Sequence, residues 1–155
     1  MKKIDESSLN AKYIKEALKQ AEKAKKKDEV PVGAVLVHEG KVIARGHNRN
    51  IDINDPTAHA EIIAIREACK KFKYHRLNGC KLYVTLEPCS MCVGALVLAR
   101  VSEIIFGAYD PKTGACGSVF NIANNKKLNH RIKVTGGVLE KDCSVMLKDF
   151  FKNKR

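Results

Sequence analysis

The chain has 155 residues, of which 45% are hydrophobic and 30% are charged, a balance typical of a single globular domain. Its apolar stretches are too short to cross a membrane, and its polar start lacks the apolar run of a secretory signal. The formal net charge of +12 favours a polyanionic partner such as nucleic acid, although lysines on solvated helix faces would give the same excess.

These features lead to three expectations about the chain as a whole. We expect one domain that spans residues 1–155. We expect it in the cytoplasm, without contact with a membrane. Its six cysteines are then expected to stay reduced, because disulfides are rare in that compartment.

Apolar spacing and β-branched residues predict helices and strands that alternate along the chain. The predicted helices span residues 8–27, 58–72, 90–100 and 140–152. The predicted strands span residues 32–38, 41–46, 81–86, 103–108 and 132–135. The first two strands flank Glu39-Gly40 and are expected to form a hairpin. This order predicts an α/β fold of three layers, α/β/α, around a central mixed five-stranded sheet.

Three local features refine this outline. Ser7 or Ser8 is expected to cap the first helix. The loop-rich segment 110–131 is expected to contain a short helix near residues 119–123. Helix 90–100 is apolar nearly all round, so it should be covered on more than one side, either by the sheet and a second helix or by a partner subunit.

Two short motifs predict a hydrolytic metal site: H-x-E at residues 59–61 and P-C-x-x-C at residues 88–92. His59, Cys89 and Cys92 offer one imidazole and two thiolates, a set that suits zinc. Three protein ligands leave the fourth tetrahedral position open for water, which is typical of catalytic rather than structural zinc. Glu61 lies two residues from a ligand and is expected to carry protons in catalysis.

Both halves of the predicted site lie where a helix begins. His59 and Glu61 are placed in the first turn of helix 58–72. Cys89 and Cys92 are placed in the first turn of the helix that starts at Pro88. The positive end of a helix dipole favours thiolates, the form that binds metal.

Each motif has a simpler interpretation when taken alone. A single C-x-x-C is also found in thiol redox pairs and as half of a structural zinc knuckle, and a single H-x-E means little. The two motifs together, with Pro88 directly before the first cysteine, favour the catalytic zinc site.

Further segments extend the pattern beyond the metal motifs. They are residues 29–35, Asn48, 55–61, 82–89, 106–108, 112–115 and 129–131. In these segments the chain resembles the bacterial tRNA-specific adenosine deaminases, over a stretch from about residue 11 to residue 151. The metal motifs are shared by the whole cytidine deaminase superfamily, and the flanking segments favour the tRNA branch.

The resemblance implies a cytidine-deaminase-like fold, a homodimer with one zinc ion per subunit, and conversion of the wobble adenosine of a tRNA anticodon to inosine. The expected partner is thus a tRNA anticodon stem-loop. The resemblance also implies four substrate contacts. Asn48 would hydrogen-bond the purine, and the backbone at Ala60 would help to orient it. Asp110 would lie near the ribose of a neighbouring nucleotide, and Phe151 would lie on an RNA-contacting C-terminal helix.

Two other functions remain open on the sequence. The chain could deaminate free bases or nucleotides with the same zinc site, or it could be a noncatalytic RNA-binding relative. The basic tail at residues 148–155 argues against the first, because a small neutral base needs no excess positive charge. The intact Glu61 argues against the second, because a catalytically inactive relative is expected to lose this carboxylate.

Overall fold

The structure, a computed structural model, describes residues 5–154. Within that range the chain forms four helices and five strands. They are α1 (Glu6–Lys26), β1 (Gly33–His38), β2 (Lys41–His47), α2 (Ala60–Phe72), β3 (Cys80–Leu86), α3 (Ser90–Leu98), β4 (Glu103–Ala108), β5 (Lys133–Thr135) and α4 (Glu140–Lys152). Among these described helices, none has the length and apolar character needed to span a membrane.

The five strands form one mixed sheet in the order β2-β1-β3-β4-β5. Strand β1 pairs antiparallel with both β2 and β3, whereas β3, β4 and β5 pair in parallel. Because β2 and β3 are each antiparallel to β1, they run in the same direction as each other and as β4. The carboxyl ends of β2, β3 and β4 therefore meet at one edge of the sheet. The predicted mixed five-stranded sheet is confirmed.

Helices cover both faces of the sheet and give the predicted three layers. Alternate side chains of a strand point to opposite faces, and β3 shows this clearly. Leu82 and Val84 join the apolar cluster beneath α2 and α3, whereas Tyr83 joins the cluster beneath α1 and α4. Strand β4 is buried along its whole length, as expected for an inner strand with helices on both faces.

Helix α2 packs very close to β2, and Gly46 makes that approach possible. A Cβ atom at Gly46 would overlap the carbonyl oxygen of Ala60 and would lie 2.8 Å from the backbone nitrogen of Ala64. The first turn of α2 therefore lies directly against the strand. This packing fixes the position of the start of α2, and with it the position of residues 59–61.

The elements agree with the predictions within two residues at each end, but two local expectations are wrong. Helix α1 is capped by Asp5, whose carboxylate accepts a hydrogen bond from the Ser7 N–H at 3.2 Å, and not by Ser7 or Ser8. The helix near residues 119–123 does not form. The backbone there folds into turns in which Val119 and Phe120 both donate to the Gly114 carbonyl, five and six residues back, rather than four as in an α-helix.

Candidate active site

The predicted site residues converge because three parallel strands end at the same edge of the sheet. Asn48 follows β2, Cys89 follows β3 after two residues, and Asp110 follows β4 after one residue. Ligand sites in open α/β sheets commonly lie beyond the carboxyl ends of strands. A cavity of about 620 Å³ lies at this edge, within the range of roughly 300–1,000 Å³ typical of small-molecule sites.

His59 and Cys89 occupy equivalent positions at the starts of their helices. His59 is the N-cap of α2 and Cys89 is the N-cap of α3, both with extended backbone, and neither side chain makes a capping hydrogen bond. The prediction that these two residues lie in the first helical turn is therefore wrong by one position. Pro88 likewise precedes the cap of α3 and does not begin the helix. Both side chains remain free to face each other.

The three predicted ligands lie at the distances that a tetrahedral metal requires. The Nδ1 atom of His59 is 3.6 Å from the Cys89 sulfur and 3.5 Å from the Cys92 sulfur. The three donor atoms all lie within 4.8 Å of one another. Tetrahedral bonds of about 2.3 Å to sulfur and 2.0–2.1 Å to nitrogen would separate nitrogen from sulfur by about 3.6 Å. This group can therefore hold a metal ion without rearrangement.

The electrostatics of the two cysteines favour one thiolate. The pKa of Cys89 is lowered to about 4, because the Cys92 thiol donates a hydrogen bond to it and because His59 stabilises the anion. The same hydrogen bond, together with burial, raises the pKa of Cys92. The hydrogen bond to Cys89 also raises the pKa of His59. A thiolate is therefore favoured at Cys89, and thiolates are the form that ligates metal.

Glu61 lies beside this group in the first turn of α2 and is 4% exposed. It lines the cavity together with His59 and Cys89. Burial raises the pKa of its carboxyl group, because removal from water penalises the charged form. A carboxylate removed from water in this way accepts a proton more readily than an exposed one, which is the property expected of a proton carrier.

Asn48 lines the cavity, and its side chain is oriented by the backbone of α2. Its Oδ1 atom accepts a hydrogen bond from the Ala60 N–H at 2.8 Å, so its Nδ2 group is the end left to donate into the cavity. Ala60 itself is fully buried and does not line the cavity. The backbone N–H of Ala60 is therefore used to hold Asn48, whereas a contact of Ala60 with a base remains a prediction.

Asp110 also lines the cavity, but its carboxylate is engaged in a local turn. It accepts hydrogen bonds from the Lys112 N–H at 2.9 Å, from the Thr113 N–H at 3.1 Å, and from the Thr113 hydroxyl at 2.8 Å. Thr113 lines the cavity as well. Asp110 therefore shapes one wall of the cavity, and a contact with ribose remains a prediction.

Phe151 does not reach the cavity. Its neighbour Phe150 lines it, whereas Phe151 is half exposed on the outer side of α4. Phe151 borders a second hollow of about 590 Å³ with Tyr109 and Lys148, and this hollow shares Asp110 with the cavity. Among the residues of the basic tail, Arg155 lies outside the described residues.

Two buried glutamates at the cavity were not singled out from the sequence. Glu29 is 2% exposed and accepts hydrogen bonds from the backbone N–H groups of Ile51 at 3.1 Å and Asp52 at 2.8 Å. Glu87, also 2% exposed, accepts hydrogen bonds from the loop that follows β4. Each glutamate lies one or two residues before a proline, in a segment that resembles the family. That placement is the one sequence feature that could have pointed to them.

Comparisons with known proteins identify the family. The MafB19-like deaminase model matches residues 9–155. A tRNA-specific adenosine deaminase of Bacillus subtilis (strain 168) is 51% identical over 143 residues, which cover 92% of this chain and 89% of the relative. This chain belongs to the tRNA-specific adenosine deaminases. A family member from Aquifex aeolicus (strain VF5) is 50% identical over 92% of this chain and 94% of its own length.

A solved structure supports the same assignment of fold. It comes from biochemical and structural studies of A-to-I editing at the wobble position of transfer RNA. It superposes with a TM-score of 0.85 at 45% identity and covers 88% of this chain and 99% of that chain. The cytidine-deaminase-like fold and the family inferred from the sequence are confirmed.

The ligand group of this deaminase can be tested by its metal content. We expect the protein purified without added metal to carry about one metal ion per chain. Replacing Cys92 with alanine should abolish that binding, because it removes a fully buried donor. The matched control is Cys80→Ala, another fully buried cysteine outside the ligand group. Elemental analysis checks both variants, and a Cys92→Ala protein that keeps its metal would show that the ligand set is wrong.

Proposed function

We propose that this protein hydrolyses the exocyclic amine of the wobble adenosine in a tRNA anticodon, with zinc as cofactor, to give inosine and ammonia. One observation carries the proposal. A His-Cys-Cys group and a buried glutamate meet at one cavity in a chain that is 51% identical to a deaminase named for tRNA adenosine.

The donor set supports zinc as the resident metal, one ion per subunit. One imidazole and two thiolates are typical zinc ligands, and three protein ligands are the number found in catalytic sites. When bound, zinc would supply an activated water for attack on the purine carbon that carries the amine.

Glu61 is the proposed proton carrier. Its carboxyl group lies beside the ligand group and lines the cavity. It would take a proton from the attacking water and deliver it to the adjacent ring nitrogen. It would then move the second proton of that water from the oxygen now bonded to carbon to the departing amine. Water thereby adds across the carbon–nitrogen bond and ammonia leaves, so no oxidant or second substrate is needed.

Asn48 is the proposed contact to the purine. Because Ala60 holds its Oδ1 atom, the Nδ2 group is available to donate to a ring nitrogen or another acceptor of the base. Ala60 contributes by fixing that orientation. Asp110 and Phe151 are proposed to contact the nucleotides that flank the target.

The charge of the protein supports RNA, rather than a free base, as the substrate. The hollow beside the cavity is lined by Lys112 and Lys148 together with the aromatic rings of Tyr109 and Phe151. Basic and aromatic side chains together suit single-stranded nucleic acid, through phosphate contacts and base stacking. An anticodon loop already presents unstacked bases, so the cost of exposing the target is small. We propose that the single domain acts on tRNA in the cytoplasm.

A homodimer is proposed from the outer face of α3. Helix α3 carries no charged residue. Met91, Gly94, Ala95 and Leu98 lie at helical spacing on the side that the sheet does not bury. Leu98 is 78% exposed, and together the four residues make a contiguous apolar stripe of the kind that marks interaction surfaces. A second copy of the chain would cover this stripe.

The substrate class decides between the proposal and a free-base deaminase. We expect the metal-loaded protein to form inosine in an anticodon stem-loop with adenosine at the wobble position, and to leave adenine, guanine, cytosine and their nucleosides unchanged. Binding of the stem-loop should weaken steeply as salt rises, because each phosphate contact releases a counterion. Ammonia release and sequencing of the RNA check this. Turnover of a free base without inosine in RNA would overturn the proposal.

The role of Glu61 is tested by Glu61→Gln, which keeps the shape of the side chain. We expect unchanged metal content and RNA affinity, with a turnover rate lower by at least about 10²–10⁴-fold, because the proton carrier is lost. Glu103→Gln is the matched control, since Glu103 is also buried but does not line the cavity. Near-normal turnover of the Glu61→Gln protein would refute this role.

The dimer is tested by Leu98→Asp. Light scattering at micromolar concentration should give twice the chain mass of 17.2 kDa for the unmodified protein and a monomer for the variant. An added charge in an apolar interface is costly. Val145→Asp on α4 is the control, since Val145 is also an exposed apolar residue, and it should stay dimeric. A monomeric, fully active unmodified protein contradicts the proposal.

A further inference from the structure

Glu87 is a buried carboxylate that the proposed chemistry does not use. It lies between the end of β3 and Cys89 and is 2% exposed. Its two oxygens accept four hydrogen bonds. Oε1 accepts from the Asp110 N–H at 3.0 Å and from the Ser118 hydroxyl. Oε2 accepts from the Cys116 N–H at 3.0 Å and the Ser118 N–H at 3.1 Å.

All four donors belong to one segment, residues 110–118, which we name the wall loop. The wall loop carries Asp110 and Thr113, two residues that line the cavity. Asp110 in turn accepts hydrogen bonds from Lys112 and Thr113. By holding Asp110, Glu87 therefore also stabilises the turn at Lys112 and Thr113.

The wall loop is also tied to the segment that carries the cysteine ligands. The Ala115 N–H donates to the Pro88 carbonyl at 2.8 Å, and Gly114 forms an antiparallel bridge with Cys89. Gly114 leaves no room for a side chain. A Cβ atom there would overlap the carboxyl carbon of Glu87 and would lie 2.6 Å from the Asp110 carbonyl.

We propose that Glu87 is a positioning residue. It fixes the wall loop, and with it Asp110 and Thr113, relative to the metal ligand Cys89. An ionised carboxylate is the side chain suited to this task, because it only accepts hydrogen bonds and offers about four lone-pair directions to the four donors. The effect on turnover rests on the proposed function, whereas the effect on the loop does not.

The geometry predicts how a glutamine would fail at this position. An amide nitrogen in place of Oε2 would face the N–H groups of both Cys116 and Ser118. In place of Oε1 it would face the Asp110 N–H and the Ser118 hydroxyl, which can rotate to accept. Glutamine should therefore adopt the second orientation. The Asp110 N–H alone then loses its acceptor.

The experiment combines amide hydrogen exchange with kinetics on metal-loaded Glu87→Gln. We expect exchange at the Asp110 amide to be about tenfold faster, with smaller changes at Cys116 and Ser118. We also expect KM for the anticodon stem-loop to rise about tenfold, because an unsatisfied donor displaces the cavity wall. Metal content should be unchanged and kcat should change by less than about threefold, since neither the ligands nor Glu61 is altered.

Two controls separate positioning from general stability. Glu103→Gln changes another buried glutamate at the opposite end of β4, and should leave the wall loop unchanged. If Glu87→Gln does not fold, Ser118→Ala tests the same contact, because it removes the hydroxyl that donates to Oε1 of Glu87 and adds no atom to the loop. Ser102→Ala is its control. Ser102 also makes a hydroxyl hydrogen bond, from the Gly79 N–H, so that variant loses a comparable contact outside the wall loop.

The outcomes distinguish this proposal from the proposed function. Normal exchange in the wall loop together with normal KM would overturn the role of Glu87. The role would also be overturned if turnover fell only in proportion to the amount of folded protein, to the same extent as in the control variants. If the unmodified protein does not deaminate the stem-loop, the proposed function fails, and the exchange measurements still decide whether Glu87 holds the loop.

Discussion

The site depends on one constraint: two helices must begin within bonding distance of the same point. His59 caps α2 and Cys89 caps α3, and their donor atoms lie 3.6 Å apart. The sheet topology brings the two helix starts together, because β3, which leads to Cys89, ends at the same edge as β2 and β4. Gly46 allows the first turn of α2 to pack directly on β2. A shift of either helix along its strand would separate the donors.

Two buried glutamates hold the loops around these donors. Glu29 holds the segment after β2 through two backbone N–H groups, and Glu87 holds the segment after β4 through four donors. Hydrogen bonds to a charged acceptor are shorter and roughly twice as strong as those between neutral groups. Loops that must present polar groups to a substrate can thus be ordered without an apolar core of their own.

Much of this could be predicted from the sequence where the signal is local. The ligand spacing predicted the donor set, and apolar periodicity predicted the helices and strands. The strand order could not be predicted, because pairing joins residues distant in the chain. Phe150 rather than Phe151 lines the cavity, since neighbouring helical positions point about 100° apart and the docking of α4 chooses between them. The role of Glu87 could not be predicted from the sequence, because its donors lie 23 or more residues away along the chain.

His59, Cys89 and Cys92 are proposed to form a catalytic zinc site with one position open. X-ray absorption spectroscopy at the zinc edge, on protein purified without added metal, tests this most directly. If the proposal holds, the spectrum shows two sulfur ligands at about 2.3 Å and two light atoms at about 2.0–2.1 Å, one from the imidazole and one from a water. A site with three or four sulfur ligands, or with none, would contradict it.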